Sequence, residues 1–320
     1  MPLTKHNGFI VLTGTSNIPL AQKIAKILKK QLDEPISFFP DGEIRVRIPN
    51  NLRQRDIFII QPTFPKGNDH VMQLVFMVDA ARRASAREIT AVVPYFGYSR
   101  QVRKDMPRVP ISSSVVARML EEAGTNRILT IDIHSEQQQG FTKIPWDNLY
   151  GSYALLPLIK SRKLKDLVVA SPDSGGVKRA TGFSKLLNAT GIAIVYKLRD
   201  ININDKLDTL GFIGEIKGKH VLLVDDMIST GGTIANAANL LKEKGAKSVR
   251  VAAVHGLFTG SALQNIAGSA IDEVFITDTV LPSEEVRKHP KITIASVAPL
   301  LAEAIRRIRT GESISKDLIL

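Results

Sequence analysis

The 320-residue sequence contains no cysteine. Disulfides, thiolate metal ligands and cysteine nucleophiles are thereby excluded together, and a reducing cytoplasm is the compartment expected. Aromatic residues make up only 6%, so any core must be built mainly from Ile, Leu, Val and Ala. No apolar run approaches the roughly 18 residues that cross a bilayer, and the start of the chain lacks a charged-then-apolar signal pattern. Neither a membrane nor export is expected. Low-complexity segments and short tandem repeats are missing too. The formal net charge of +12 admits nucleic acid or a small polyanion as partner. The basic residues are scattered outside Arg100–Arg108, and aromatics do not interleave with them. A nucleic-acid surface is therefore not expected.

What is present is an alternation. Apolar residues reach 44%, enough for real cores, and the length suggests two domains of about 150 residues each. Short, nearly continuous apolar runs predict strands at Asp56–Gln61, Ile89–Pro94, Arg127–Ile133, Leu167–Ala170, Ile192–Tyr196, His220–Val224, Val249–Val254, Glu273–Thr277 and Ile292–Ala295. Runs of that kind suit strands covered on both faces of a parallel sheet. Helical spacing predicts helices over Ile18–Gln31, Asp69–Ala84, Ile111–Ala123 and Thr233–Lys244, the last two stopping at Gly124 and Gly245. The expectation is α/β, with doubly wound domains around mainly parallel sheets. Trp146–Tyr153 has neither pattern and is the expected crossing point.

The sharpest local signal lies after the His220 strand. Asp225 and Asp226 are followed by Ser229, Thr230, Gly231, Gly232 and Thr233, where a helix begins. Small hydroxyl residues and glycines let backbone N–H groups close on an anion, and the helix N-terminus adds its dipole. The carboxylates repel phosphate, and suit sugar hydroxyls or a Mg²⁺ ion instead. Together these parts read as a ribose-phosphate site at the carboxyl end of a strand. An ordinary βα turn accounts for the glycines but not for the acid pair ahead of them. The Walker A pattern does not occur.

Other candidates are weaker taken alone. Lys197 and Arg199 alternate after an apolar strand, so both reach one ligand if the chain stays extended, although a solvated strand end has the same pattern. His134 follows a strand, and Asp173 sits in Ser-Pro-Asp-Ser-Gly-Gly. Turn chemistry explains such an aspartate, and Mg²⁺ prefers oxygen to histidine nitrogen. Arg100–Arg108 reads either as an exposed basic loop or as an electrostatic trap for phosphates.

The acid pair and loop resemble the PRPP-binding loop of phosphoribosyltransferases and PRPP synthetases. The chain resembles the ribose-phosphate pyrophosphokinase (PRPP synthetase) family over nearly its whole length. The resemblance is carried by Phe39–Ile48, Asn68–Ser85, Val93–Ile111, Asp132–Phe141, Ser171–Arg179, Lys197–Arg199 and Glu303–Ser315. It implies pyrophosphoryl transfer from ATP to the 1-hydroxyl of ribose 5-phosphate, giving PRPP and AMP. Phe39, Asp41 and Glu43 would contact adenine from a neighbouring subunit, and Arg100 and Gln101 would line the ATP site. His134 and Asp173 would bind Mg²⁺. Lys197 and Arg199 would stabilise the transferred group from a mobile loop. Asp225 and Asp226 would hold ribose hydroxyls, and Ser229 to Thr233 the 5-phosphate. Arg53, Ser85 and Ser313 match an allosteric phosphate site. The implied fold is two phosphoribosyltransferase-like domains, residues 1–150 and 151–307, with the tail 308–320 packed on the first. The implied assembly is a homo-oligomer, usually a hexamer.

Two departures stand out: Ser229 where most bacterial and animal members have Asp, a form resembling archaeal members, and Asn51 where serine is usual. Met106 and Pro107 alter the basic run. The resemblance leaves two alternatives, a non-catalytic regulatory relative and a phosphoribosyltransferase that uses PRPP. The Phe39–Glu43 and Lys197–Arg199 matches argue against a phosphoribosyltransferase. The intact Lys197, Arg199, His134, Asp173, Asp225 and Asp226 argue against a regulatory relative.

Overall fold

The structure is a computed structural model that describes residues 8–198 and 209–315. The chain forms two compact units, dividing at Tyr150–Gly151. Thr279–Leu281 and the segment from Ser296 onward return to the first unit.

In unit 1 the chain begins with β1 (Phe9–Thr13) and α1 (Ile18–Leu28), then β2 (Leu32–Asp33). Asn17 caps α1 by accepting the Leu20 N–H at 3.3 Å, and the helix stops where Lys29 turns left-handed (φ 54°). That stop falls short of the Gln31 expected from spacing. β3 (Ile36–Phe38) and β4 (Ile44–Val46) form a separate antiparallel hairpin. Next come β5 (Asp56–Ile60), α2 (Gly67–Arg83), β6 (Glu88–Val93), α3 (Ser112–Ala123), β7 (Arg127–Ile131) and β8 (Trp146–Leu149). The sheet runs β2-β1-β5-β6-β7-β8, parallel throughout. All five residues of β5 are buried, as a strand covered on both faces requires. The core joins Leu12, Ile57, Leu74, Met77, Leu120 and Ile128.

Two sequence expectations need correction here. Trp146–Leu149 is an edge strand, and it lacks an apolar run because polar groups fix it. Asn148 Oδ1 accepts the Ile133 N–H at 3.0 Å, and Trp146 Nε1 donates to Thr130 Oγ1 at 3.0 Å. β7 ends at Ile131 rather than Ile133, because buried Asp132 takes a left-handed φ of 40°.

Unit 2 contains α4 (Ser152–Ser161), β9 (Leu167–Ser171), α5 (Val177–Leu187), β10 (Gly191–Leu198), β11 (Thr209–Ile213), β12 (His220–Ile228), α6 (Gly232–Glu243) and β13 (Ser248–Gly256). After them come α7 (Ala262–Ala267), β14 (Glu273–Thr277), α8 (Glu284–Lys288) and β15 (Ile292–Ala295). The sheet order is β11-β10-β9-β12-β13-β14-β15, parallel except for the antiparallel β10–β11 pair. Val168, Val221, Leu223, Leu241, Val251 and Ile276 anchor its core.

The last helix, α9 (Ala298–Thr310), belongs to unit 1 and packs on α1. Its buried stripe of Leu300, Leu301, Ala304 and Ile305 needs an apolar partner, and Leu20, Ala21, Ile24 and Ala25 of α1 are buried as well. Arg309 Nε adds an ion pair to Asp56 at 3.2 Å. The sequence-based boundary at 307 thus falls inside a helix that goes whole with the first unit.

Candidate active site

The strongest sequence signal is built at the carboxyl end of β12. That strand runs four residues past Val224, through both carboxylates, to Ile228. β13 pairs with it along that stretch, whereas β9 accompanies it only to Leu223. Asp225 and Asp226 therefore face a flank without a pairing strand. The turn after β9 and the first turn of α5 occupy this region, α5 being packed on both β9 and β12.

The two acids are adjacent on the strand, and each has its own environment. Asp226 is buried, while Asp225 keeps partial access. Asp225 Oδ1 accepts the Asp226 backbone N–H at 2.8 Å. Arg179 Nη1, from α5, lies 3.4 Å from Asp225 Oδ1 and 3.9 Å from Asp226 Oδ1. Burial, then the adjacent Asp226 charge, pushes the Asp225 carboxyl up to about 8, and the Arg179 cation opposes both.

The loop that follows is braced from behind. Gly231 has φ 75°, and a Cβ there would meet the Ala262 carbonyl oxygen at 3.3 Å, so glycine is demanded twice. The Ser229 carbonyl accepts the Thr259 N–H at 2.9 Å, and the two hydroxyls lie 3.1 Å apart. Asn265 Nδ2 donates to the Thr230 carbonyl at 2.8 Å. Turning these carbonyls toward Thr259 and Asn265 leaves the N–H side of the loop for an anion. Ser229 and Gly232 are half-buried, and Thr230 and Thr233 are exposed. The first βα loop of unit 1 is spent internally by contrast. Thr15 N–H and Ser16 N–H donate to Gln73 Oε1 and Gln61 Oε1 at 3.1 and 3.3 Å.

Asp173 lies on the exposed turn between β9 and α5. Its Oδ1 accepts the Gly176 N–H at 3.0 Å, a local hydrogen bond of the kind that turn chemistry anticipates. Lys197 is part of β10, opposite Leu210 of β11. The strand is longer than its apolar run suggested, because β11 supplies a pairing edge as far as Leu198. Arg199 lies outside the described residues.

The remaining candidates are in unit 1. Phe39, Asp41 and Glu43 form the tip of the β3–β4 hairpin, closed by Phe39 N–H to the Glu43 carbonyl at 2.9 Å and by Asp41 Oδ1 accepting the Glu43 N–H at 3.1 Å. Phe38 and Phe39 are 56% and 44% accessible, with the Arg45 guanidinium 5.6 Å from the Phe39 ring centre. Arg100 is exposed. Gln101 caps α3: its carbonyl accepts the Ser113 N–H at 3.3 Å and its side chain the Ser112 hydroxyl at 2.6 Å. His134 is exposed just past β7. Buried Gln138 joins these segments, donating to the Ser99 carbonyl at 3.1 Å and accepting from the Ser113 hydroxyl. Sequence reasoning missed Thr259 and Asn265, for which it offers no signal, and also Gln138 and Arg179, which lie in the matched stretches Asp132–Phe141 and Ser171–Arg179.

His134 and Asp173 thus belong to different units. Among the described residues, no three His, Asp or Glu side chains cluster in a metal-holding arrangement. Exposed single carboxylates fit Mg²⁺ arriving with its waters and substrate phosphates, which is how that ion usually binds. At the allosteric candidates, Asn51 Oδ1 accepts the Arg53 N–H at 3.0 Å and the Ser85 carbonyl accepts the Gln54 N–H at 2.9 Å, which draws the Arg53 and Ser85 turns together. Ser313 pairs with the Ser315 hydroxyl at 3.1 Å, and its carbonyl accepts Arg307 Nη1 at 2.9 Å. A cleft of about 390 Å³, lined by Arg82, Arg87, Glu121 and Thr125 among others, contains none of the candidate residues.

The profile described as the N-terminal domain of ribose phosphate pyrophosphokinase matches residues 9–124. That described as the phosphoribosyl synthetase-associated domain matches residues 195–318. The ribose-phosphate pyrophosphokinase of Vibrio cholerae is 48% identical over 308 residues, covering 95% of this chain and 97% of that protein. The protein of the same name from Helicobacter hepaticus is 46% identical, covering 96% and 98%. The crystal structure of phosphoribosylpyrophosphate synthetase from Mycobacterium smegmatis superposes with a TM-score of 0.89 at 37% identity, over 95% of this chain and 99% of that one.

Proposed function

The chain belongs to the ribose-phosphate pyrophosphokinase family and is an enzyme of PRPP synthesis, and on that premise we propose how its residues divide the reaction. The ribose 1-hydroxyl attacks the β-phosphorus of ATP, AMP departs, and PRPP is formed. Whole-length relatives named as pyrophosphokinases do not favour the regulatory alternative.

The observation that carries the residue assignments is the braced loop beside the acid pair. Ribose 5-phosphate places its phosphate on the N–H groups of Ser229–Thr233 and its ring hydroxyls on Asp225 and Asp226. Acceptors and donors are thus separated along one strand–loop–helix run, which orients the sugar before it reacts. Arg100 and Gln101 bind ATP together with the hairpin tip Phe39, Asp41 and Glu43. An exposed aromatic on that hairpin suits an adenine held by a neighbouring subunit, and a homo-oligomer, a hexamer by resemblance, is the proposed assembly. Lys197 and Arg199 neutralise the charge that develops on the transferred group. Loss of such a stabiliser costs about 10²–10³ in rate. His134 in the first unit and Asp173 in the second would each hold Mg²⁺, which would neutralise phosphate oxygens. Regulation by phosphate at Arg53, Ser85 and Ser313, and a cytoplasmic location, complete the proposal.

The deciding experiment mixes the protein with ribose 5-phosphate, ATP and Mg²⁺ and follows products by ³¹P NMR. AMP and PRPP should appear together, and Lys197→Ala should slow both about 100-fold or more. ADP in place of AMP would overturn pyrophosphoryl transfer. An undiminished Lys197→Ala would overturn the role of Lys197.

A further inference from the structure

Arg179 is the third residue of α5, next to Lys178, and the first turn of that helix contains no acidic residue. Two successive cations at the positive end of a helix dipole are unfavourable where they stand. Arg179 therefore demands an explanation outside its own helix. It lies across the unpaired flank of β12, with Nη1 3.4 Å from Asp225 Oδ1 and 3.9 Å from Asp226 Oδ1. Its side chain is 22% accessible, and those of the two acids are 22% and 5% accessible. One guanidinium is thus shared by two crowded carboxylates and is bidentate with neither.

We propose that Arg179 is a positioning residue that holds the Asp225 and Asp226 carboxyl groups correctly turned to accept ribose hydroxyls, acting on the sugar through them and not on its phosphate. The inference rests on the reading that this acid pair takes the hydroxyls. Without the guanidinium, two neighbouring carboxylates in a poorly solvated site repel each other. One then rotates away, and a correctly placed hydroxyl acceptor is lost. Lysine would restore the charge but not the planar reach to both oxygens.

The test compares two ligands on the intact enzyme by calorimetry. Ribose 5-phosphate carries the hydroxyls. Tetrahydrofurfuryl phosphate keeps ring and phosphate without them. Arg179→Ala should weaken ribose 5-phosphate binding about 10–100-fold, the size of losing hydrogen bonds to charged groups. Tetrahydrofurfuryl phosphate should bind unchanged, which also certifies the fold. Arg179→Lys should recover part of the loss, and KM for ribose 5-phosphate should rise while KM for ATP holds. Equal weakening of both ligands would mean that Arg179 serves the phosphate or the fold, and the inference fails. No weakening of either also overturns it. Asp225→Asn separates the underlying reading: if it leaves discrimination between the two ligands intact, the acid pair does not take the hydroxyls, whatever Arg179 does.

Discussion

The Asp225 carboxylate accepts the backbone N–H of Asp226 at 2.8 Å, so the acid pair is locked by its own main chain before any ligand arrives. The lock holds two like charges together where water is scarce. The folded protein answers by raising the Asp225 carboxyl from 3.8 to about 8.

That shift has a sign and a window. The unfolded chain loses the Asp225 proton near pH 3.8, whereas the folded chain keeps it to about pH 8. Folding is therefore progressively disfavoured as pH rises between those values. Asp225→Asn should raise the melting temperature of the free enzyme at pH 8, raise it less at pH 6, and leave it unchanged near pH 3.5. PRPP formation should meanwhile collapse. Differential scanning calorimetry across that range checks it, and a gain that is flat with pH would contradict it.

Gly231 and Gly232 are adjacent yet not equivalent. At Gly231, a side chain meets both a left-handed backbone and the Ala262 carbonyl. Gly231→Ala should cost about 1–2 kcal/mol from the backbone alone, lowering both melting temperature and affinity for ribose 5-phosphate. A Cβ at Gly232 meets nothing within 4 Å. Gly232→Ala should leave the ligand-free melting temperature within a degree or so of wild type. Equal thermal losses at both positions would refute this account of the loop.

Glu303 on α9 receives Arg306 Nε and Nη2 at 2.8 Å each and Arg307 Nε at 2.8 Å. These hydrogen bonds hold its carboxyl at about 2, below the usual 4.5. Its stabilising contribution is present above pH 4.5 and lost as pH falls through about 2. Glu303→Gln should melt lower than wild type at pH 7, with the difference shrinking from pH 4.5 downward. Because the cluster is partly solvated, the difference at neutral pH should be small and weaken in 1 M salt.

The parallel-sheet plan was legible because buried strands must be apolar on both faces. Ile57–Ile60 and Val251–Val254 are of that kind. Elements fixed by polar side chains or by a partner strand were not legible. Trp146–Leu149 owes its place to Asn148 and Trp146 Nε1, and Lys197 enters a strand because β11 lies beside it. The same division holds at the site. Asp225 through Thr233 announce themselves as a contiguous run, whose spacing the strand–loop–helix geometry dictates. Arg179, Thr259 and Asn265 reach that run from 46, 30 and 35 residues away in sequence. No local pattern records such a distance. Only the second cut, at 307, failed, for a related reason, since α9 finds its partner stripe on α1.

The packing of α9 against α1 also bears on how the protein is made. A ribosome delivers α1 early, but the helix that covers its apolar stripe emerges only after synthesis has run past Thr310. All of unit 2 is translated in between and is free to fold first, because the span from Gly151 to Ala295 already contains every strand of its sheet. The nascent first unit must wait with a sticky helix exposed, a natural client for a holding chaperone. A circular permutant that joins α9 directly ahead of β1 should lose that dependence and fold from its first half outward.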